Sequence, residues 1–206
     1  DYLLPSGATL LNKQFGWTNE QSLNALKEHV QLCYDICHFA VGYEDHQEMI
    51  TALQQKNIRI GKIQISAALK AGIPVVGEER NSVIDAFQHF NESTYLHQVI
   101  ALQKNGGLKK YPDLPEAIQQ ANDPLTIEWR SHFHVPLFVE NYGVLQSTQQ
   151  DIINVLNIHK QQPVTRHLEI ETYTWDVLPD ELKLPMTDSI IREMEWVISL
   201  LSLREE

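Results

Sequence analysis

The sequence predicts an α/β fold built around a parallel sheet. Three observations carry that prediction. Helix-like and strand-like segments alternate along the chain, as helical crossovers between parallel strands require. The strand-like segments each show one polar and one apolar face. No low-complexity stretch or internal repeat interrupts the alternation.

The elements follow in order. WTNEQSLNALKEH (17–29) reads as a helix, with Thr18 able to cap it and Leu23, Leu26 and Val30 at helical spacing. VQLCYDI is a short strand. EDHQEMITALQQKN is a helix capped by Asp45, with Met49, Ile50 and Leu53 as its apolar stripe, and IRIGKIQIS is a strand. NSVIDAFQHF reads as a helix. The wider stretch from Ala67 to Thr94, with KAGIPVVGEERN, is the least regular and reads as a loop excursion. YLHQVIALQKNGGLKKY carries a turn signal at Asn105–Gly107 and predicts a small hairpin. DLPEAIQQA begins a helix, with Asp113 as cap and Pro115 in the first turn. EWRSHFHVPLF is a strand stopped at Pro136, and STQQDIINVLNIHKQQ a helix capped by Ser147. TRHLEIETYTW is a strand. DSIIREMEWVISLLSL closes as an amphipathic helix, with Ile190, Ile191, Met194, Val197, Ile198 and Leu201 on its buried side.

Face composition distinguishes two parallel architectures. In an open sheet covered on both sides, strands are apolar throughout. Here Lys62, Gln64 and Ser66 alternate with Ile63 and Ile65, Arg130, His132 and His134 with Phe133 and Val135, and His167, Glu169 and Glu171 with Leu168 and Ile170. A polar inner face and an apolar outer face suit a (β/α) barrel.

Composition narrows the partners. The 206 residues carry a net charge of −11, against nucleic acid and anionic membrane, which reward excess Lys and Arg. No apolar run approaches the roughly 18 residues of a membrane span. Two cysteines, Cys33 and Cys37, are too few for a secreted disulfide framework and read as small core fillers in a reduced, cytoplasmic protein. The first residues lack a basic signal-peptide region, and the absence of an initiator Met leads to the expectation that the gene begins upstream. His29, His46, His89 and His159 fall on helices and read as surface residues.

CYDICH, KIQIS, HFH and HLEIE each lie at or near a strand end that precedes a helix, so their side chains converge on one side of a parallel sheet. A single strand histidine is ordinarily a satisfied core residue, and carboxylates at i, i+2 are ordinarily a solvated face. Four segments doing this together are different, because buried charge needs a partner. Asp35, His38, His134 and Glu171 are donors suited to a divalent cation such as Mn²⁺, Zn²⁺ or Mg²⁺, with Gln64 a weaker neutral oxygen. Mixed N/O donors without cysteine describe a catalytic ion rather than a structural zinc.

DICH, IGKIQIS, LHQV, WRSHFHVPLF and HLEIETYTWDVLP together resemble the xylose isomerase-like TIM barrels of the sugar phosphate isomerase/epimerase superfamily, and within it the EboE-type metabolite traffic proteins. The resemblance covers the whole chain and implies a single domain over 1–206. By the same resemblance that domain would be the C-terminal half of a (β/α)8 barrel. QLCYDIC, RIGKIQIS, RSHFHVP and HLEIETY would be strands five to eight, with the irregular excursion and the hairpin between the second and third of them. Strands one to four, including the strand that usually supplies a metal-binding glutamate, would come from a missing N-terminal half or another chain. The resemblance matches Asp35 and Glu171 to metal ligands and sets Gln64 where many members carry a histidine ligand; His134, a feature of the narrower group without a general equivalent in sugar isomerases, completes the expected metal set. Glu171 also becomes the base and His38 its catalytic partner. His97, His132 and Glu169, which have no general equivalent in sugar isomerases, and Lys62 are the expected substrate contacts.

The implied activity is metal-dependent isomerisation or epimerisation of a small sugar-like or phosphorylated metabolite, linked to secondary-metabolite handling. A non-catalytic metabolite-binding barrel and a metal-dependent phosphoester hydrolase are the alternatives.

Overall fold

The computed structural model describes residues 2–172, 178, 183 and 185–202. The chain opens with α1 (Leu3–Phe15), a helix the sequence reading did not assign. Gly16 closes it at φ 69°, a left-handed conformation that glycine adopts without strain. α2 (Asn19–His29) begins at the expected Thr18, whose hydroxyl accepts the Gln21 N–H while the Gln21 side chain accepts the Thr18 N–H. β1 (Leu32–Asp35) runs straight into the short α3 (Ile36–Val41). Asp45 caps α4 (His46–Gln55), and β2 (Ile60–Ile65) follows.

β3 (Leu69–Gly72) and α5 (Glu78–Gln88) come next, then β4 (Val99–Gln103) and β5 (Leu108–Tyr111). Asp113 caps α6 (Leu114–Gln119), with Pro115 in the first turn as expected. β6 (Thr126–Ser131), β7 (Asn141–Tyr142), β8 (Leu145–Ser147), α7 (Gln149–Gln161), β9 (Leu168–Ile170) and α8 (Met186–Ser202) complete the described elements. Ser147 ends β8 rather than capping α7, whose N-cap is Thr148.

The strands form two sheets. The first is parallel, in the order β1-β2-β9, with Asp35 level with Gln64 and Gln64 level with Glu169. The second is antiparallel, in the order β5-β4-β6-β3-β8-β7. The α/β class and the parallel sheet are as the alternation predicts. The β4–β5 hairpin also forms where the Asn105–Gly107 signal falls, with Gly106 at φ 80°.

Three expectations are corrected. RSHFHVP is not a parallel strand between β2 and β9, which pair directly with each other. Its first part belongs to β6, at the centre of the antiparallel sheet, and the strand ends at Ser131 rather than Pro136. The stretch after Ala67 is not merely a loop. It contains β3, the strand that joins β6 to β8, and the small residues of AALKAG gave it little strand signal. On α8, only Ser189, Glu193 and Val197 are buried, whereas Ile190, Ile191, Met194 and Ile198 are exposed. Glu193 faces inward because it accepts the Leu137 N–H and the Thr172 hydroxyl. The described residues form no closed barrel, and no described helix is long and apolar enough to cross a membrane.

One apolar core serves both sheets. Tyr34, Ile63 and Ile65 enter it from the apolar face of the parallel sheet, and Leu69, Val99 and Trp129 from the antiparallel sheet. The Trp129 ring packs on Phe87 at 5.6 Å between centroids and on Tyr111 at 6.5 Å. Trp129→Ala is expected to lower the unfolding free energy by about 3–5 kcal/mol, measured by urea denaturation. A loss under about 1 kcal/mol would show that the Trp129 ring contributes little to this core.

Candidate metal centre

The parallel sheet turns one polar face away from the core, carrying Cys33 and Asp35 on β1, Lys62 and Gln64 on β2, and Glu169 on β9. Ser66 and Glu171 extend that face just past the C-terminal ends of β2 and β9, where the Glu171 N–H bonds the Ile65 carbonyl. A third wall comes from the other sheet. After β6 the chain crosses above the strand ends, held by His132 N–H to Gln98 O (2.8 Å) and Val135 N–H to Ala67 O (3.2 Å). Period-two spacing sends His132 and His134 to one side. Phe133 packs on the other, against Phe90 and His97.

Five predicted residues meet there. Asp35, His134 and Glu171 each offer a donor atom within 4.8 Å of the other two, and so do Asp35, His38 and His132. A third set is Cys37, His132 and His134. Asp35 is held in place by the start of α3. Its Oδ1 accepts the Cys37 N–H at 3.0 Å and the Ser66 hydroxyl at 2.6 Å. Its Oδ2 lies 3.6 Å from His38 Nε2. The His134 ring is oriented by the Glu171 backbone. A carbonyl only accepts, so the Nδ1 at 2.9 Å from Glu171 O is the protonated nitrogen, and in the neutral ring Nε2 bears the lone pair. That Nε2 lies 3.3 Å from His132 Nε2. Two nitrogens bound to one tetrahedral ion at about 2.1 Å stand roughly 3.4 Å apart.

The electrostatics favour a cation. Burial, then the neighbouring Asp35 and Glu169 charges, push the Glu171 carboxyl up to about 7, with Lys62 opposing. Its Oε2 is buried and makes no hydrogen bond among the described residues, although it lies 3.5 Å from His134 Nδ1. Burial, then the adjoining His134 and His38, push His132 down to about 3. Burial likewise lowers His134. Both imidazoles are thus held in the neutral form that ligates metals. A buried carboxylate oxygen with no hydrogen bond among the described residues, two neutral imidazoles and a second carboxylate fit a divalent ion.

The other predicted residues lie apart from this cluster. Lys62 and Glu169 form an ion pair in an open groove of ≈ 610 Å³, shared with Cys33 and His167. The Gln64 amide oxygen accepts the Cys33 thiol at 3.0 Å. His97 is buried, with Nδ1 3.1 Å from the His132 carbonyl and Nε2 2.7 Å from Glu92. It therefore supports His132 from behind. Arg130, expected on the face of His132 and His134, bonds the Ala40 carbonyl of α3 instead.

Ser66, Cys37 and His46 were missed. Ser66 stood on the same alternating face as Lys62 and Gln64, which was the available signal. His46 is a correction: it is buried at the start of α4, with Nδ1 2.8 Å from the Tyr34 hydroxyl and Nε2 3.3 Å from Asp151. Nothing local marks it, since Tyr34 and Asp151 are distant in sequence. The C-terminal part of HLEIETYTWDVLP, from Tyr173 to Val177, lies outside the described residues.

Ser66→Ala is expected to weaken Zn²⁺ affinity by about 10- to 100-fold, the usual effect of losing a group that orients a ligand. Competition against a chromophoric chelator measures it, and unchanged affinity would separate Ser66 from ion binding.

Fold and cluster define an α/β protein with a histidine–carboxylate site at the C-terminal edge of a parallel sheet. Compared with family models, curated proteins and solved structures, the chain matches none.

Proposed function

We propose that this chain is a divalent-metal-dependent isomerase or epimerase of a small sugar-like or phosphorylated metabolite, with β1, β2 and β9 as strands of a (β/α)8 barrel. The observation that carries the reading is the convergence of Asp35, His134 and Glu171 donors within 4.8 Å. The barrel reading rests on the apolar outer face and polar inner face of the three strands. The remaining strands would join at the edges of β1 and β9 that pair with no strand among the described residues, from further sequence or a second chain. The two free cysteines accord with a cytoplasmic setting.

Asp35 and His134 would hold the ion, which would supply Lewis-acid polarisation of a carbonyl and its neighbouring hydroxyl. Glu171, whose carboxylate stands beside the ion's place, would take the proton from the carbon beside the carbonyl and return it. His38, on the open side of Asp35, orients substrate oxygens. Lys62 and Glu169 offer charge to polar groups in the groove.

The test is proton exchange in D₂O, followed by NMR over a panel of aldoses, ketoses and their phosphate esters. EDTA should stop exchange, and Zn²⁺, Mn²⁺ or Mg²⁺ should restore it. Glu171→Gln should slow it by at least about a hundredfold, the usual range for a general base. Normal exchange by that variant would remove Glu171 from the role. A second reading, a non-catalytic metabolite-binding barrel, is favoured by Gln64, whose amide oxygen is already taken by Cys33. Metabolite binding that is indifferent to EDTA, with no exchange on any panel member, would select it.

A further inference from the structure

We propose that Cys37 is a thiolate ligand and that, with His132 and His134, it makes this centre take a borderline transition ion of the Zn²⁺ class rather than Mg²⁺. The inference rests on the metal-centre reading and deepens it, since His134 belongs to both ligand sets.

The three side chains come from two segments. Cys37 sits in the first turn of α3, where its N–H bonds both Asp35 Oδ1 and Ser66 Oγ, so the backbone that presents the thiol is tied to the ligand carboxylate. His132 and His134 arrive from the crossing after β6. One donor atom from each of the three lies within 4.8 Å of the others. The thiol is free and wholly buried against Val41, Ala68 and Ile100, and His134 is 1% exposed. In the metal-free pair the 3.3 Å between the two Nε2 atoms serves an N–H···N contact, and an ion replaces the shared proton.

Donor chemistry then selects the ion. Magnesium keeps oxygen ligands and several waters, whereas two imidazoles and a thiolate suit zinc and its neighbours. On binding, the S–H bond gives way to a sulfur–metal bond and the proton leaves to solvent. Three protein donors leave a fourth position for Asp35 or a substrate oxygen, the pattern of a catalytic zinc. The apolar wall behind Cys37 excludes water from the sulfur side.

Cobalt titration of the EDTA-treated protein tests this. The expected result is visible d–d bands together with a sulfur-to-cobalt charge-transfer band in the near ultraviolet. Zn²⁺ should displace both and a large excess of Mg²⁺ should leave them unchanged. Cys37→Ala should lose the charge-transfer band and weaken Co²⁺ binding by more than about tenfold, the loss that follows even from disturbing an outer residue. Cys33→Ala should keep the band. Should Cys37→Ala fail to fold, X-ray absorption of the zinc-loaded wild-type protein decides, with a sulfur at about 2.3 Å expected. Cobalt bound with d–d bands alone, or zinc with only N/O neighbours, overturns the proposal and leaves the metal centre standing. No cobalt binding at all overturns both.

Discussion

In metal-free protein, Glu171→Gln is expected to raise the unfolding free energy by about 2–3 kcal/mol near pH 8. Glu171 is held up to about 7 by burial first, and then by Asp35 and Glu169. Its folded-state value lies above its unfolded value. The stability its protonated form contributes is therefore fully present below the ordinary carboxyl range and lost as pH rises through about 7. The amide mimics the protonated carboxyl and removes that loss. Denaturant unfolding at a series of pH values in EDTA should show wild-type stability falling from about pH 5 to 8 and the variant curve flatter. Parallel curves would mean that Glu171 is ionised at no penalty. Adding Zn²⁺ should restore stability to the wild type and much less to the variant, since the ion takes the place of the proton. A residue whose replacement stabilises the empty protein and silences the loaded one is placed for function rather than for folding.

Asp35 is the second position where a large effect is expected. It belongs to two of the three ligand sets and also accepts the Cys37 N–H and the Ser66 hydroxyl. Asp35→Ala removes a proposed ligand and a helix cap, takes away the acceptor of the Ser66 hydroxyl, and leaves the Cys37 N–H with Ser66 Oγ alone. It should lower stability by about 2–3 kcal/mol and Zn²⁺ affinity by more than about a hundredfold. Asp35→Asn separates the two roles. Its amide oxygen still accepts at the cap, so most of the stability should remain while zinc affinity falls. The like charge beside Glu171 is also gone, so the Glu171 carboxyl should titrate lower. If Asp35→Asn binds Zn²⁺ as the wild type does, the carboxylate is a structural cap only.

Much of the site was legible because it is periodic. Alternation in KIQIS and HLEIE told which side chains share a face, and the strand-to-helix order told which ends of β1, β2 and β9 lie together. Asp35 and Glu171 follow from those two rules. His132, expected from the sequence as a substrate contact, stands with its ring nitrogen 3.3 Å from that of His134. Cys37 was read as a core filler, and it does pack against Val41, Ala68 and Ile100 while sharing the histidine cluster. Both placements depend on the crossing after β6, which brings the antiparallel sheet over the ends of the parallel one.

By itself the sequence determined the alternation of helix and strand, the caps at Thr18, Asp45 and Asp113, the hairpin at Asn105–Gly107 and the polar face of the parallel strands. These are local properties, set by side chains within a few residues of one another. Tertiary structure alone decided that β3 is a strand, that β6 pairs antiparallel between β4 and β3, that His46 is buried, and that Cys37 meets His132 and His134. A period of two says which face a residue occupies but not which edge its strand will pair with. Edge choice is made by hydrogen bonds and apolar packing between segments far apart in the chain.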